Sequence, residues 1–297
     1  MTGAAASRWW LGAVFAAFVA FLYGPTLTIL VLSFQGPEGG LTFPMNGLSL
    51  HWYARLFEGA GVVDIWSAFG RSLRLGLAVM VLTTVVALLG GYAFRRRFRG
   101  EAALFQLVVA SLIVPSIAVS LGIALQFRIL DDAVRALAEV GRLPAWLGAE
   151  DHTTAMGLFT SGLGAHLTWT LPFGILIMFA VFNRFPTEVE EAARDLGASP
   201  WGVFRHAVLP LVAPSLVGVA LFGFTLSWDE IARSSQAMGE ANTLPLELQG
   251  LTTTATTPEI YALGTLTTGV SAAVIAAAFA AHAAARRSRR RAHGGAP

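Results

Sequence analysis

The chain alternates between long apolar runs and short polar segments. Six windows of at least 18 residues lack Asp, Glu, Lys and Arg, and these are residues 9–37, 75–94, 102–127, 152–183, 206–228 and 260–285. A helix that crosses a bilayer needs about 20 mainly apolar residues, since each residue advances it by ~1.5 Å. The pattern therefore predicts an all-α membrane protein with six transmembrane helices.

The segments between and within these windows carry further structural signals. Residues 39–54 are also uncharged but contain Pro and several Gly, so we predict a loop there. The mixed aromatic and polar sequence SLHWYARLF indicates a short interfacial helix. Pro115, amid small residues, should loosen the backbone of the third helix without exposing polar groups to lipid. Residues 128–151 hold three Arg and five acids and are expected to form a solvated surface segment.

The first apolar run could be mistaken for a secretory signal. Apolar character persists from Trp9 to Leu32, whereas the apolar core of a signal peptide spans only about 7–15 residues. We therefore expect an uncleaved first helix that follows a short N-terminal segment, residues 1–8.

Composition agrees with a membrane protein and excludes several classes of chemistry. Charged residues make up 13% of the chain, about half of the ~25% that is typical of soluble domains. The net charge of +2 is too small to suggest a nucleic-acid partner. The chain has no Cys, which excludes disulfides, thiolate metal sites and Cys nucleophiles.

Arginine distribution predicts the orientation. The two termini and the loops at 95–101 and 184–205 together hold 13 Arg and 5 acids, whereas the opposite side holds 7 Arg and 13 acids. Positive segments stay in the cytoplasm. Both termini, including the Arg-rich tail at 286–297, are therefore expected to be cytoplasmic.

The polar segment Thr187–Pro210, between the fourth and fifth windows, carries strong helix signals. Thr187 and Glu190 have the spacing of a capping box, and the acids of this first turn favour the positive end of the helix dipole. Gly197 is placed to end the helix. Ser199-Pro200 then predicts the start of a second short helix, which enters the membrane at Leu209-Pro210.

The first of these two helices has an apolar side of its own. The helical period places Val189, Ala192, Ala193 and Leu196 on one face, where two Ala leave room for another surface to approach. One hypothesis is a helix that rests on the membrane or on neighbouring loops. The other is a handle for a soluble partner protein.

The segment as a whole resembles the E-A-A-x3-G-x9-I-x-L-P signature of the permeases of binding-protein-dependent ABC importers. The matching positions are Glu191, Ala192, Ala193, Gly197, Leu209 and Pro210, and Ala207 stands where the signature has Ile. In that family the segment is cytoplasmic and docks in a groove of an ATPase subunit. The resemblance therefore implies an ATPase-coupling role for these residues, together with Arg194 and Asp195 between them.

Other stretches narrow the resemblance and imply the partners. FTLSWDEIARSS and LPLELQGLTTTATTPEIYALGTL resemble the six-helix permeases of spermidine/putrescine importers, and the likeness covers most of residues 20–285. Permeases for ferric iron, sulfate, thiamine and aminoethylphosphonate share several of these features. The resemblance implies a permease domain at 9–285 in the bacterial inner membrane, contacting lipid. It also implies ABC ATPase subunits, a second permease subunit, identical or different, and an extracytoplasmic solute-binding protein.

Two polar sites within or beside the apolar windows leave alternatives open. Trp228, Asp229 and Glu230 stand at the outer mouth, where the acids would attract a polycation, or Asp229 would simply cap the helix or turn after the fifth span. His166 lies among Gly and Thr in the fourth window. It is either a ligand or a hydrogen-bonded packing residue, and the second is commoner in membranes.

Catalytic motifs do not explain the chain. It has no G-x-x-x-x-G-K-[ST] and no Lys to complete one, so ATP hydrolysis is expected in a partner subunit. An intramembrane enzyme would have to use His166, Asp229, Glu230 and His282, which are scattered over different helices. A passive channel would not need the capped cytoplasmic segment. We expect a non-catalytic subunit without cofactor or metal.

Overall fold

Helices account for most of the structure. The computed structural model describes residues 3–58, 65–144, 146, 156–239, 241–254 and 257–294. The helices are α1 (Gly3–Leu32), α2 (His51–Glu58), α3 (Ile65–Phe94), α4 (Glu101–Ser111), α5 (Ser116–Glu139), α6 (Leu163–Phe182), α7 (Glu188–Asp195), α8 (Pro200–Val203), α9 (Leu209–Trp228), α10 (Ser234–Ala237), α11 (Leu244–Thr254) and α12 (Glu259–Gly294), with π-helical stretches at Leu158–Gly162 and Phe204–Val208.

The apolar windows match these helices. Within the described ranges, five helical segments are long and apolar enough to cross a membrane, and the bent pair α4–α5 is the sixth candidate. The predicted all-α membrane fold is confirmed. The side chains of Arg8, His282 and the tail arginines, which entered the predictions, lie outside the described part of the structure.

The third window is not the single loosened helix that the sequence predicted. Helices α4 and α5 meet at 106° across a break at residues 112–115. Pro115 adopts an extended conformation, φ −56° and ψ 133°, and a proline also disfavours helical geometry in the residue before it. The segment expected to be solvated after residue 128 begins as helix, since α5 continues to Glu139. Most of its described residues are exposed, while Asp131 and Ala138 fall on a buried face.

The chain forms two compact units, and the first comprises residues 1–65 and 247–272. The apolar side chains of α1 point outward, as expected for contact with lipid. Residues 39–50 form no helix and α2 begins at His51, which confirms both the loop and the short helix expected there. The loop is held by Gln35, whose Oε1 accepts from Asn46 N at 2.6 Å.

The second unit comprises residues 66–246 and 273–297, and small residues bring its helices together. At Gly174 of α6, a Cβ would lie 3.0 Å from Ala87 and Thr83 of α3 and 3.3 Å from Val219 of α9. Close approach through small residues is typical of helices that pack inside membranes. Around this contact lies a core of Ala87, Met178, Phe182, Val203, Val208, Val212 and Val219.

The fifth span begins earlier than its charge-free window. Helix α8, the π-helical stretch Phe204–Val208 and α9 follow one another without a break, as one span over Pro200–Trp228. The second short helix predicted after Gly197 is therefore the first turn of this span, not a separate element. Its predicted N-cap is confirmed, since Ser199 Oγ accepts from Gly202 N at 3.2 Å.

Candidate functional site

The turn between α7 and α8 has the geometry expected for Gly197. Its φ is +84°, which L side chains adopt only with strain. Gly197 N donates to Arg194 O at 2.8 Å, and Ala198 N donates to Ala193 O at 3.0 Å. These two bonds form a Schellman motif, which satisfies the last carbonyls of α7. Since Ser199 starts the next helix two residues later, the turn is rigid on both sides.

The predicted capping box at the start of α7 is wrong. Thr187 has helical dihedrals, φ −66° and ψ −27°, and its side chain makes no capping bond. Glu190, the other half of the box, turns away from the helix start and pairs with arginines. A charged, bidentate bond to a guanidinium is stronger than a bond to a neutral backbone N–H, so the ion pair takes precedence.

Glu190 ties α7 to the end of α3. Its side chain is buried, and both carboxylate oxygens accept from Arg95, with Oε2 at 2.6 Å from Nη2. Arg194 Nη2 donates to the same oxygen at 2.8 Å. The hydrogen bonds from Arg95 hold the pKa of Glu190 below its usual value, and the bond to Glu190 raises the pKa of Arg95. The pair is therefore charged at neutral pH.

Arg95 also connects α7 to two further helices. Its guanidinium lies over the Tyr92 ring, 4.2 Å from the centroid. Tyr92 in turn meets Phe182, at the end of α6, with centroids 5.6 Å apart, and Phe204, at the start of the fifth span, at 5.3 Å. In the sequence, Arg95 was only one of the arginines of the loop at 95–101, because no local spacing predicts a partner 95 residues away.

The other side of α7 faces outward. Glu191, Ala192 and Asp195 are exposed, and Leu196 is 89% exposed. Val189 and Ala193 instead turn inward, and Ala193 packs against the core. The single apolar face predicted for the four apolar positions is therefore wrong, since they divide between the two sides of the helix.

The remaining residues of the signature lie at the base of the fifth span. Leu209 and Pro210 are half-buried at the start of α9. Ala207, which departs from the Ile of the signature, packs against the core from the π-helical stretch. Trp201 of α8 is 65% exposed and stacks on Phe204, with centroids 5.5 Å apart. Leu196, Gly197 and Trp201 thus form an exposed apolar corner, flanked by Glu191 and Asp195.

Trp228, Asp229 and Glu230, predicted to stand at the outer mouth, have different surroundings in the structure. The Trp228 ring is buried, stacked on Phe224 at 5.5 Å and edge-on to Phe69 at 5.7 Å. Asp229 directly follows α9 and is exposed in part, and desolvation raises the pKa of its carboxyl. Glu230 Oε1 accepts from the backbone N of Arg233 at 3.0 Å. A role of the three residues in the solute pathway remains a prediction.

His166 is a buried packing residue. Its Nδ1 lies 2.9 Å from Ser227 Oγ and its Nε2 lies 3.0 Å from Ser234 Oγ. Both ring nitrogens are therefore engaged, so neither is free to act as a ligand. Among the described residues, no three His, Asp or Glu side chains gather as metal ligands would.

Sequence comparison places the chain among transport proteins. A family model described as the binding-protein-dependent transport system inner membrane component matches residues 83–292. The spermidine/putrescine transport system permease protein PotC of Haemophilus influenzae is 30% identical over 272 residues, which cover 91% of this chain and 95% of that protein. The putrescine transport system permease protein PotI of Escherichia coli is 29% identical over 86% of this chain and 84% of its own length.

Solved structures share the fold. A chain of a bacterial ABC transporter involved in the import of the acidic polysaccharide alginate matches with a TM-score of 0.63 at 16% identity, covering 93% of this chain and 95% of that one. A chain of the MetNI methionine ABC transporter matches with a TM-score of 0.51 at 17% identity, covering 81% and 99%. At these identities the likeness concerns the fold alone.

Proposed function

Because the chain belongs to the family of binding-protein-dependent transport system inner membrane components, and is a permease subunit of an ABC importer, we propose that its α7–α8 corner couples it to a separate ATPase subunit. The observation that carries this proposal is the division of α7 into two sides. Glu190 anchors the inner side, while Glu191, Leu196 and Trp201 remain exposed.

The anchoring of α7 by Glu190 explains how an ATPase subunit could move the helices. Binding of ATP in a partner would displace α7, and the pair Arg95–Glu190 and the ring of Tyr92 would pass that displacement to α3, α6 and the fifth span. Rigid bodies moving about interfaces are a common form of such transitions. The chain itself has no nucleotide-binding motif, so the energy would come from the partner.

In the proposed assembly, the ATPase subunit binds on the cytoplasmic side and the solute-binding protein on the opposite side. Arginine excess on the side of α7 supports cytoplasmic termini and a cytoplasmic docking corner. Residues 9–285 would act as one permease domain and form the solute path with a second permease subunit. A solute-binding protein would deliver cargo to the opposite face.

For the cargo we propose an organic amine of the polyamine class. Support comes from the relatives named for spermidine and putrescine transport and from the excess of acids on the outer side. Ferric iron, sulfate, thiamine and aminoethylphosphonate are the competing cargoes. Outer acids also arise simply because Arg is retained inside, so the relatives carry more of the argument than the charge does.

The experiment is reconstitution of the complete importer with its own solute-binding protein in proteoliposomes. Spermidine and putrescine should stimulate ATP hydrolysis and be taken up. Glu191→Arg and Gly197→Val should uncouple uptake from hydrolysis, with membrane insertion unchanged, whereas Glu188→Arg on the same helix serves as the matched control. Undiminished uptake by both variants would reject the docking corner, and flux without ATP would indicate a channel.

A further inference from the structure

Arg233 is a buried cation that neither the coupling corner nor the outer acids explain. Its side chain is fully buried in the second unit. Its backbone is held at both ends, because its N donates to Glu230 Oε1 at 3.0 Å and its O accepts from Ser120 Oγ at 2.7 Å. The residue therefore occupies a fixed place between the turn after α9 and helix α5.

The guanidinium is itself oriented by two contacts with α6. It lies over the ring of Trp169, 4.9 Å from the centroid, and Nη1 donates to Thr168 Oγ1 at 3.4 Å. A cation over an aromatic face is attracted to it by the ring quadrupole. The two contacts together hold the guanidinium against α6.

Two donors of the guanidinium, Nε and Nη2 of Arg233, have no hydrogen-bond partner among the described residues. These atoms form one edge of the guanidinium, which presents two parallel N–H groups. Burial of a half-satisfied charge is unfavourable, and an edge with this geometry matches the two oxygens of a carboxylate or another oxyanion.

The two acids of the turn after α9 do not fill this edge. The carboxylate of Glu230 is engaged with the backbone of Arg233, and Asp229 is exposed at the end of α9. Thr168, in contrast, also lines a groove of about 400 Å³ with Ser111, Gly164 and Leu167. The side chain that accepts from Nη1 is thus part of the groove wall, and the guanidinium of Arg233 lies directly behind that wall.

We propose that Arg233, positioned by Trp169 and Thr168, is an oxyanion site on the solute path that binds the carboxylate or phosphonate group of an amine-bearing solute. This inference rests on the proposed importer function but departs from simple polyamines, which carry no acid group. In this inference, Arg233 helps to determine which solute the permease binds.

The test uses the purified complex and three probes: spermidine, 4-aminobutyrate and 2-aminoethylphosphonate. Thermal stabilisation measures binding directly, without the solute-binding protein. We expect the two acid-bearing amines to stabilise the wild type, and Arg233→Gln to weaken both by about tenfold or more, since it removes a charge-assisted bidentate contact. The carboxylate and phosphonate probes show which oxyanion is preferred. Any stabilisation by spermidine should be unchanged.

Three further variants separate a role of Arg233 in binding from a role in folding. Arg233→Lys should retain only part of the affinity because Lys lacks the planar fork. Thr168→Val keeps the cation and removes its acceptor, so it tests the site even if Arg233→Gln fails to assemble. Arg74→Gln, at an exposed arginine of α3, is the matched control.

Two results would overturn the site. One is that the acid-bearing amines stabilise wild type and Arg233→Gln equally, or stabilise neither protein. If spermidine uptake is retained in that case, the importer function stands without the oxyanion site. The other is strong energetic coupling of Arg233 to Glu150 or Asp151, acids outside the described ranges, in a double-mutant cycle, which would make Arg233 an internal ion pair.

Discussion

The guanidinium of Arg95 donates to both carboxylate oxygens of Glu190, and so joins the end of α3 to α7 across 95 residues of chain. The adjacent Glu191 is exposed and makes no such contact with the described part of the chain. Two neighbouring acids therefore have different tasks, one inside the protein and one at its surface.

Breaking the pair should release α7. Glu190→Gln leaves Arg95 partly buried without its partner, at a cost of roughly 3 kcal/mol. Hydrogen exchange of the α7 amides should accelerate about 100-fold, which is the same free energy expressed as an opening equilibrium. Glu188→Gln, an exposed acid on the same helix, is the control. The exchanged pair Arg95→Glu with Glu190→Arg should restore part of the protection, and failure of any variant to change α7 exchange would contradict the anchoring role.

The same pair predicts a pH dependence. The hydrogen bonds from Arg95 lower the pKa of Glu190 from its ordinary 4.5. A carboxyl with a lowered folded-state pKa contributes stability that is complete above its unfolded pKa and is lost as pH falls through the folded value. Protection of α7 should therefore be constant from pH 7 to about 5.5 and decline below about 4.5. Glu190→Gln should lack this decline, and an identical decline in both proteins would assign it to other groups.

The exposed corner should matter for binding and not for folding. Leu196 and Trp201 are 89% and 65% exposed, so Leu196→Ser and Trp201→Ala should leave the melting temperature within about 1 °C, as surface substitutions usually do. Loss of apolar anchors should weaken ATPase-subunit binding about tenfold or more, measured by co-purification and titration. Leu48→Ser, at a residue 83% exposed elsewhere in the chain, is the matched control. Unchanged binding by both corner variants would remove them from the interface.

Two adjacent glycines of α3 should respond differently to the same substitution. A Cβ at Gly91 would lie 2.6 Å from Met178 Cβ and 2.9 Å from Met178 C, whereas one at Gly90 would lie 3.5 Å from Ile175. Gly91→Ala should therefore destabilise by about 1–3 kcal/mol through overpacking. Gly90→Ala should be tolerated, which thermal unfolding in detergent would measure. Equal effects would mean that α3 and α6 approach each other less closely.

His166 should behave as a structural residue. His166→Leu leaves the hydroxyls of Ser227 and Ser234 without their imidazole partner, at about 1–3 kcal/mol in total. The exposed His206 of the π-helical stretch provides the control, His206→Leu, which should have little effect. Chelators should leave the stability of the wild type unchanged. A chelator-sensitive melting temperature that His166→Leu abolishes would instead make His166 a ligand.

Much of the fold could be predicted because its physical causes are local. Apolar length determines where a helix can cross a membrane, and five of the six windows correspond to single helices of sufficient length, while the third corresponds to the bent pair α4–α5. Gly197 and Ser199 were predicted correctly since their roles depend on backbone geometry a few residues away. Where a local rule competed with a distant charge, it failed: the capping box at Thr187 gave way to the bond between Glu190 and Arg95.

By itself, then, the sequence determined the positions of the apolar segments, the helical nature of the chain and the place of the α7–α8 turn, because these depend on neighbours along the chain. Only the tertiary structure decided the 106° break between α4 and α5, which side of α7 is buried, and the open edge of Arg233. Each of these depends on contacts between residues far apart in sequence. Periodicity carries no information about such contacts, since they arise only when helices pack.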